Sequence, residues 1–334
     1  MKLKTLLLST AAAAMVAGSA FAQDVTLRIQ THYATEHPTG KLLAQWIDDV
    51  QTMSDGNISI EMFYSSSTET FDAAINGILD CDATGGDYQT GKNPAFQFVG
   101  DIMGGYDTPW QQYSWLYYGD GYAAAQELYN AQGMQLIGWS IYGQESLSSS
   151  KPLAGFEDVK GWKFRSPPGM ETEIFQELGA SPIVMDFTEI FTALETGIID
   201  GADASGLANN VGLGLYDIVK HATYPGFHSM PSDHLACNQD VWEGLTETQR
   251  RIIDTAWQKL SFHVALSNEK ANAEAAAALK EQGVTLYDWS PEDRAEFRRA
   301  AQVAWDDWGT RSPEAAALLD SHKTYLKQLG LLSD

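Results

Sequence analysis

The chain has 334 residues, a length that predicts about two domains. Its 44 acidic and 21 basic residues give a formal net charge of −23, which argues against nucleic acid or an anionic membrane as a partner. Hydrophobic residues make up 44% of the chain, which excludes a disordered protein, and 2 cysteines are too few for a disulfide scaffold or a CxxC-type zinc site.

The first 22 residues have the pattern of a secretory signal peptide. Lys2 and Lys4 precede an apolar stretch over 6–16 that is too short to span a bilayer. Ala20-Phe21-Ala22 then forms an A-x-A cleavage signal. We therefore expect cleavage after Ala22, a mature chain that begins at Gln23, and a location in the periplasm. An uncleaved signal anchor is the alternative.

Strand and helix patterns alternate in the next part of the chain. Apolar alternation and helical spacing predict strands over 25–30, 58–64 and 81–84 and helices over 41–53 and 68–79. This succession favours a parallel sheet covered by helices, in which ligands gather at the carboxyl ends of the strands. The loops that begin near Thr31, Tyr64 and Gly85 are therefore the first candidate walls of a binding site.

A second, smaller α/β unit follows the crossing segment Ser148-Ser149-Ser150-Lys151-Pro152. Strands are predicted there over 162–165, 182–185 and 198–202, helices over 171–178 and 188–196, and a strand over 234–238 that returns to the first unit. Two crossings predict two lobes joined by a hinge, a frame suited to closing on a ligand. We assign 23–147 and about 234–270 to lobe 1, and 148–233 and about 271–334, with the C-terminal helices, to lobe 2.

One helical pattern extends over 246–282 and ends at Gly283. At 1.5 Å per residue such a helix is about 54 Å long, which exceeds one small domain. It is therefore expected to form a spine behind both lobes. Two helices with a break near Ser267-Asn268 are the alternative.

The two cysteines, Cys81 and Cys237, both fall at predicted strand positions. An exported protein meets an oxidising compartment, where a disulfide is stable. The sequence by itself does not show whether the two pair. Two unpaired buried thiols are the simpler expectation.

Arg165 is the most informative polar residue, because it ends a predicted strand just before the turn Ser166-Pro167-Pro168-Gly169. A guanidinium matches a carboxylate in a bidentate way, and a strongly acidic protein that binds an anion needs a fixed cation. Taken alone, an arginine near a turn is more often a solvated surface residue. Asp203 follows another strand end and is suited to orient a hydroxyl or a cation, although such an aspartate is more often a turn or cap residue.

Other candidate ligand-binding residues are chosen for their positions between the predicted elements. They are Thr31 at the end of the first strand, Tyr88 after the third strand, Gln144 and Glu145 before the first crossing, and Phe227 and His228 in the return loop. For these residue types, a core aromatic or an exposed polar side chain is the ordinary role.

Enzyme signatures are missing from the sequence, which contains no GxSxG, GxxxxGK[ST], HExxH or GxGxxG. The seven histidines form no HxH or HxxxH pair, so a zinc site is not expected. A cation held by oxygen ligands, Na⁺ or Ca²⁺, stays open through Asp203 and Gln144. No other cofactor is expected.

Two motifs carry a resemblance to a known family. One is Asp158-Val159-Lys160-Gly161-Trp162-Lys163-Phe164-Arg165, and the other is FTEIFTALETGIIDG over 187–201. In this order they resemble the periplasmic solute-binding proteins of tripartite ATP-independent periplasmic (TRAP) transporters, of the DctP type. The resemblance spans nearly all of 25–332 and implies two α/β lobes, two crossing strands and a helix that spans both.

The resemblance also implies site residues. It implies that Arg165 grips a substrate carboxylate. Members that bind 2-oxo or 2-hydroxy monocarboxylates use a glutamine before the first crossing and an acid after the DG-type turn, positions matched by Gln144 and Asp203. Some members place a cation between protein and ligand. Two positions depart from them, since Ala204 replaces an asparagine or tryptophan and Ser229 replaces an acid of cation-binding relatives.

The function expected is that of an extracytoplasmic receptor, not an enzyme. It binds a small organic acid, a 2-oxo or 2-hydroxy monocarboxylate, and delivers it to the membrane subunits of a TRAP transporter driven by an ion gradient. A dicarboxylate or a sugar acid is the alternative ligand, and a monomer and a homodimer both fit. A sensory binding subunit, or a periplasmic enzyme using Asp203 and His228, are the alternatives from other classes.

Overall fold

A computed structural model describes residues 24–66 and 69–332 of the chain. The signal peptide expected over 1–22 lies outside these residues. Among the helices that the structure describes, none combines the length and the apolar character that crossing a membrane requires.

The described residues form two sheets surrounded by helices. In chain order the strands are β1 (Val25–Thr31), β2 (Ile58–Tyr64), β3 (Cys81–Ala83), β4 (Met134–Ser140), β5 (Ser148–Ser149), β6 (Lys163–Ser166), β7 (Ser181–Val184), β8 (Gly201–Ala202), β9 (His221–Thr223), β10 (Asp233–Asn238) and β11 (Thr285–Tyr287). The α-helices are α1 (Pro38–Met53), α2 (Thr70–Ile75), α3 (Phe96–Gly100), α4 (Pro109–Tyr118), α5 (Gly121–Asn130), α6 (Met170–Glu177), α7 (Ile190–Glu195), α8 (Leu207–Gly212), α9 (Leu215–Ile218), α10 (Gln239–Gly244), α11 (Glu247–Glu281), α12 (Pro291–Gly309) and α13 (Pro313–Gln328).

Lobe 1 is built on the first sheet, with the strand order β2-β1-β3-β10-β4. β2 and β3 pair in parallel with β1, as the alternating pattern predicts. β10 returns from the second sheet and lies antiparallel between β3 and β4. The chain therefore leaves β1 and β3, and enters β10, at the same edge of this sheet.

Lobe 2 is built on the second sheet, with the order β11-β9-β5-β8-β6-β7. β6 pairs in parallel with β7 and β8, so the carboxyl ends of all three meet at one edge. Arg165 lies near the end of β6, and Asp203 follows β8 directly. The parallel arrangement thus brings these two distant residues together.

Two crossing segments, 141–147 and 224–232, connect the sheets and pack against each other. The Glu145 main-chain N–H donates to the Ser229 carbonyl oxygen at 2.9 Å. Gly226 lies so close to the first segment that a Cβ there would be 1.9 Å from the Glu145 carbonyl oxygen. Only glycine fits this contact, because real Cβ atoms do not approach backbone so closely.

The long helix α11 is unbroken over its 35 residues. It begins with a capping box, in which the Thr246 side chain accepts from Gln249 N–H and the Gln249 side chain accepts from Thr246 N–H. It contacts α1 and β4 of lobe 1 and α8 and β11 of lobe 2, so it spans both lobes. Of the helices we assigned to lobe 2, α12 packs on α6 of that lobe, whereas α13 packs on α3 and α5 of lobe 1.

The expectation of two unpaired thiols is wrong, because Cys81 and Cys237 form a disulfide. The two residues are direct partners on the antiparallel strands β3 and β10, with Cα atoms 3.9 Å apart. The bond therefore fastens the returning strand to the centre of lobe 1. Sequence could not show this pairing, because the residues are 156 positions apart and their alignment depends on the sheet register.

Candidate functional site

A cavity of about 40 Å³ lies between the two lobes, where the strand edges described above face each other. At roughly 10–15 Å³ for each water molecule, this space accommodates a molecule of only a few atoms. Its wall includes His32, Tyr33, Asp87, Tyr88, Gln97, Asp101, Tyr142, Glu145, Arg165, Glu171, Phe187, Asp203, Ser229 and Asp233.

Arg165 is the cationic centre of this cavity and is 2% exposed. Its Nε donates to the Met185 carbonyl oxygen at 3.0 Å, and one terminal nitrogen donates to the Asp203 carbonyl oxygen at 2.9 Å. The other terminal nitrogen donates to the Tyr88 hydroxyl at 2.9 Å. A guanidinium has five N–H donors, so each terminal nitrogen keeps one for a ligand. Two such donors match the two oxygens of a carboxylate.

The cleft is closed by hydrogen bonds from one lobe to the other. Arg165 on lobe 2 reaches Tyr88 on lobe 1. The N–H of Met170, at the start of α6, donates to the Gln97 side chain on α3 at 2.8 Å. Gly169 precedes this contact with a φ of 121°, a conformation that favours glycine. These contacts join the two lobes, and Arg165 is buried in the joined structure.

Asp203 differs from the other acids of the cavity wall described below, because the pKa of its carboxyl is lowered. Burial by itself would raise the pKa of its carboxyl, but His228 and Arg165 outweigh burial and lower it. His228 Nε2 lies 2.9 Å from Asp203 Oδ1, and the His228 ring is completely buried behind the cavity wall. His228 therefore acts on the cavity through Asp203.

A second group of acids surrounds Ser229 at the hinge. The Ser229 hydroxyl lies 2.6 Å from both Asp101 Oδ2 and Glu145 Oε2, and Tyr142 donates to Glu145 Oε1 at 2.7 Å. Burial raises the pKa of Asp101 to about 8 and that of Glu145 well above its usual range. Ser229 thus occupies a position between two buried carboxyl groups.

A third group lies on lobe 1. The Tyr33 hydroxyl donates to Asp233 Oδ2 at 2.6 Å. Burial, followed by the charge of Asp233, raises the pKa of Asp87 to about 7, and burial raises that of Asp233 to about 6. These two acids are therefore only partly ionised at neutral pH, and both line the cavity that contains Arg165.

Glu171, near the start of α6, completes the acidic wall on lobe 2. Its Oε2 accepts from the Ser166 hydroxyl at 2.6 Å, whereas Oε1 has no hydrogen-bond partner although the residue is 2% exposed. Burial raises the pKa of Glu171 well above its usual range, with the charge of Asp203 as the next cause. A buried carboxyl oxygen without a partner calls for a donor from a ligand or a water molecule.

The structure brings some of the predicted site residues together and not others. Arg165, Asp203 and Tyr88 line the cavity, and His228 contacts Asp203 from behind. Gln144 and Phe227 instead line a second cavity of about 540 Å³ at the back of the hinge, and Thr31 lies in a groove under Tyr33.

Glu145 takes the place in the cavity that we expected for Gln144. Successive residues of an extended segment point to opposite sides, so only one of the two faces the cleft. The Gln144 side chain donates to the Tyr106 carbonyl oxygen at 2.7 Å, on the far side of the hinge. No sequence signal decides which residue of the pair points inward.

Several cavity residues were missed by the sequence reasoning. Asp101, Tyr142, Glu171 and Asp233 carry no motif. Asp87 and Tyr33 could have been identified from the sequence, because they follow β3 and β1 at the carboxyl edge of the sheet, where ligands gather.

Among the described residues, Glu145, Asp203 and His228 form a group that could hold a metal ion, with ligand atoms within 4.8 Å of one another. Two carboxylates suit Na⁺ or Ca²⁺. Gln144, expected as a metal ligand with Asp203, is not part of this group.

Two α/β lobes that close on a buried guanidinium, with a hinge and a helix behind both, define a solute-binding protein. The chain belongs to the DctP family of bacterial extracellular solute-binding proteins, family 7, whose sequence profile matches residues 29–311. Members are periplasmic receptors that bind small carboxylates and work with TRAP membrane subunits, and they are not enzymes.

Individual relatives agree with this assignment. A monocarboxylate 2-oxoacid-binding periplasmic protein of Nostoc sp. is 27% identical over 298 residues, which cover 84% of this chain and 78% of the relative. An apo open TRAP solute-binding protein from Rhodobacter sphaeroides is 33% identical, with a TM-score of 0.74 and coverage of 93% of this chain and 100% of that chain. One from Pseudoalteromonas atlantica with bound sodium and pyruvate is 25% identical, with a TM-score of 0.83 and coverage of 92% and 95%.

Proposed function

We propose that this protein captures a small organic acid in the closed cleft, with the acid's carboxylate on Arg165, and hands it to the TRAP membrane subunits. The observation that carries the proposal is the burial of Arg165 with one unused N–H on each terminal nitrogen. Tyr88 and Asp203 support the guanidinium, and His228 orients Asp203.

The acid proposed first is a 2-oxo or 2-hydroxy monocarboxylate. The Nostoc relative is named for 2-oxoacids, and the Pseudoalteromonas structure contains pyruvate. The small cavity favours such short acids over a dicarboxylate or a sugar acid, which remain the alternative.

A bridging cation is part of this proposal. The carboxylates of Glu145 and Asp203 are suited to hold Na⁺ or Ca²⁺ beside the bound acid, whose own oxygens would add further ligands. The Pseudoalteromonas structure contains sodium together with pyruvate. The cation would offset the negative charge of Asp203 and of the bound acid.

We further propose that the signal peptide is removed after Ala22 and that lobes 1 and 2 close about the crossing segments 141–147 and 224–232. Closure around a ligand is a common property of two-lobed receptors. N-terminal sequencing of the exported protein tests the cleavage site.

The ligand is tested by thermal-shift measurements on the exported protein with pyruvate, 2-oxobutyrate, lactate, malate, succinate and sugar acids, with and without Na⁺ or Ca²⁺. A ligand at about 100 times its Kd adds about 2.7 kcal/mol, which corresponds to a few degrees for a chain of this size. A shift with one short acid identifies the substrate class. The absence of a shift with every acid, in protein shown by mass spectrometry to carry no ligand, would contradict the proposal.

A further inference from the structure

The larger cavity at the back of the hinge has the size of a small-molecule site. Its volume is about 540 Å³, within the roughly 300–1,000 Å³ that such sites occupy. Its wall is formed by the stretch 104–110, the two crossing segments, α11 and α12. Because elements of both lobes and of the hinge build it together, its shape depends on how the lobes are arranged.

Aromatic side chains give this cavity an apolar surface. Trp110, in the first turn of α4, is 42% exposed, although tryptophan is a residue that proteins usually bury to a large extent. Tyr224, Phe227 and Phe297 line the same wall. A flat apolar ligand fits such a surface, because aromatic rings bury a large area when they pack on one another.

Two arginines of α12 bring positive charge to the wall. Arg294 and Arg298 are one turn apart and therefore lie on the same side of the helix. Arg298 Nε donates to the Gly104 carbonyl oxygen at 2.8 Å, and one terminal nitrogen donates to Asp107 Oδ1 at 3.0 Å. Within the part of the chain that the structure describes, the other terminal nitrogen has no hydrogen-bond partner. Its N–H groups are therefore available to a ligand.

The acids of the wall are less buried than its arginines. Asp107 and Glu269 are exposed, so water and salt screen their charge, whereas Arg294 and Arg298 are half-buried. Asp107 is also paired with Arg298 already. A carboxylate is the ligand group that makes short, charge-assisted hydrogen bonds with free guanidinium N–H groups. The cavity thus combines an apolar surface with an anchor for a carboxylate.

Hydrogen bonds connect Arg298 with the cleft. Gly104, which accepts from Arg298, donates its main-chain N–H to the His228 carbonyl oxygen at 2.9 Å. The His228 ring in turn contacts Asp203 in the wall of the cleft. A ligand held by Arg298 is therefore linked to the acid-binding cavity through a continuous series of contacts.

We propose that the cavity behind the hinge is a second ligand site, which binds an aromatic monocarboxylate with its ring against Trp110 and its carboxylate on Arg298, and that this ligand strengthens acid binding in the cleft. Trp110 belongs to lobe 1, and α12 packs on α6 of lobe 2. A ligand that contacts both stabilises the arrangement of this structure, in which the cleft is closed. The two ligands then favour the same arrangement, and each raises the affinity of the other. The second site does not depend on the proposed function, and only the coupling rests on it.

The site is tested with probes that separate the ring from the charge. Calorimetric titration of the exported protein uses phenylacetate and indole-3-acetate, the corresponding amides, and acetate. The amides keep the shape and lose the charge, whereas acetate keeps the charge and loses the ring. We expect at least one aromatic acid to bind, with an affinity at least about tenfold higher than that of its amide and of acetate.

Four variants locate the bound probe. Arg298→Met should raise the Kd of the aromatic acid by at least about tenfold and remove its preference over the amide. Arg299→Met, at the neighbouring exposed position, is the matched control and should leave both unchanged. Arg165→Met should also leave the probe bound, because the cleft is not its site. Ala265→Leu fills the cavity from α11 without removing a charge, so it should weaken the acid and the amide alike.

The coupling is measured by titrating pyruvate, or whichever short acid shifts the melting temperature, with and without saturating phenylacetate or indole-3-acetate. The Kd of the short acid should fall by about fivefold or more, and Arg298→Met should remove this fall. An unchanged or raised Kd in the wild type would overturn the coupling.

Two results would overturn the second site itself. One is the absence of binding of both aromatic acids to the wild type. The other is binding that Arg165→Met abolishes and Arg298→Met and Ala265→Leu leave intact, because the probe would then occupy the cleft. If no short acid binds, the proposed function fails by itself, and the Arg298 and Ala265 variants still decide whether the cavity behind the hinge holds a ligand.

Discussion

Replacement of Arg165 by methionine should abolish most of the affinity for the ligand acid. The wild-type guanidinium keeps one N–H on each terminal nitrogen for the ligand. Hydrogen bonds to a charged group contribute about 1.5–3 kcal/mol each, so two of them correspond to about 3–6 kcal/mol. The dissociation constant should therefore rise by a factor on the order of 10² to 10⁴. Because Arg165 is 2% exposed, solvent screening does not reduce this figure.

Calorimetric titration measures this change directly. Arg165→Lys should fall between the two proteins, because an ammonium keeps the charge but not the planar fork. Arg299→Met is the control, since Arg299 is exposed and pairs with Glu296 on the same helix. A Kd within threefold of the wild type for folded Arg165→Met would show that the guanidinium supports the wall and does not hold the ligand.

Three further results are expected. Burial raises the pKa of Asp101 to about 8, so the folded protein keeps a proton there that the unfolded chain releases near pH 4. The contribution of Asp101 to the free energy of unfolding should therefore fall as pH rises from about 4 to 8, and a difference between wild type and Asp101→Asn that stays constant over this range in urea titrations would contradict this. Replacing Cys81 and Cys237 with serine opens a loop of 156 positions and should lower the free energy of unfolding, measured by urea denaturation, by about 4–5 kcal/mol. An unchanged urea midpoint would argue against the disulfide. Gly226→Ala places a Cβ 1.9 Å from a carbonyl oxygen of the first crossing segment and should lower the free energy of unfolding by at least about 1–3 kcal/mol. Gly244→Ala is the control and should be tolerated, because a Cβ there has nothing within 4 Å. Equal melting temperatures for the two variants would refute the contact.

Local patterns in the sequence predicted many of the strands but only some of the helices. Period-2 alternation is visible in β1 and β2, and helical spacing is visible in α1 and α11, because each depends only on neighbouring residues. The capping residue Thr246 and the stop at Gly283 placed the ends of α11 within one or two residues. Arg165 was found for the same reason, since a strand followed by Pro-Pro-Gly is a local signal.

The pairing of distant segments was not accessible in this way. β4 was not predicted, and its partner β10 comes about 100 residues later. The disulfide follows from that arrangement, because β10 must lie beside β3 before Cys237 faces Cys81. The position of α13 on lobe 1 likewise depends on packing and not on a pattern within the helix.

The sequence by itself determined that this is an acidic, two-lobed α/β protein with an arginine at a strand end, and the family motifs identified the receptor class. Tertiary structure alone decided what surrounds that arginine. Asp87, Glu145, Glu171 and Asp233 come from four separate segments, and each looks like an ordinary surface acid in its own context. Their carboxyl groups interact only after the chain has folded, because Coulomb energy depends on distance in space and on the exclusion of water, and neither is written in the order of residues along the chain.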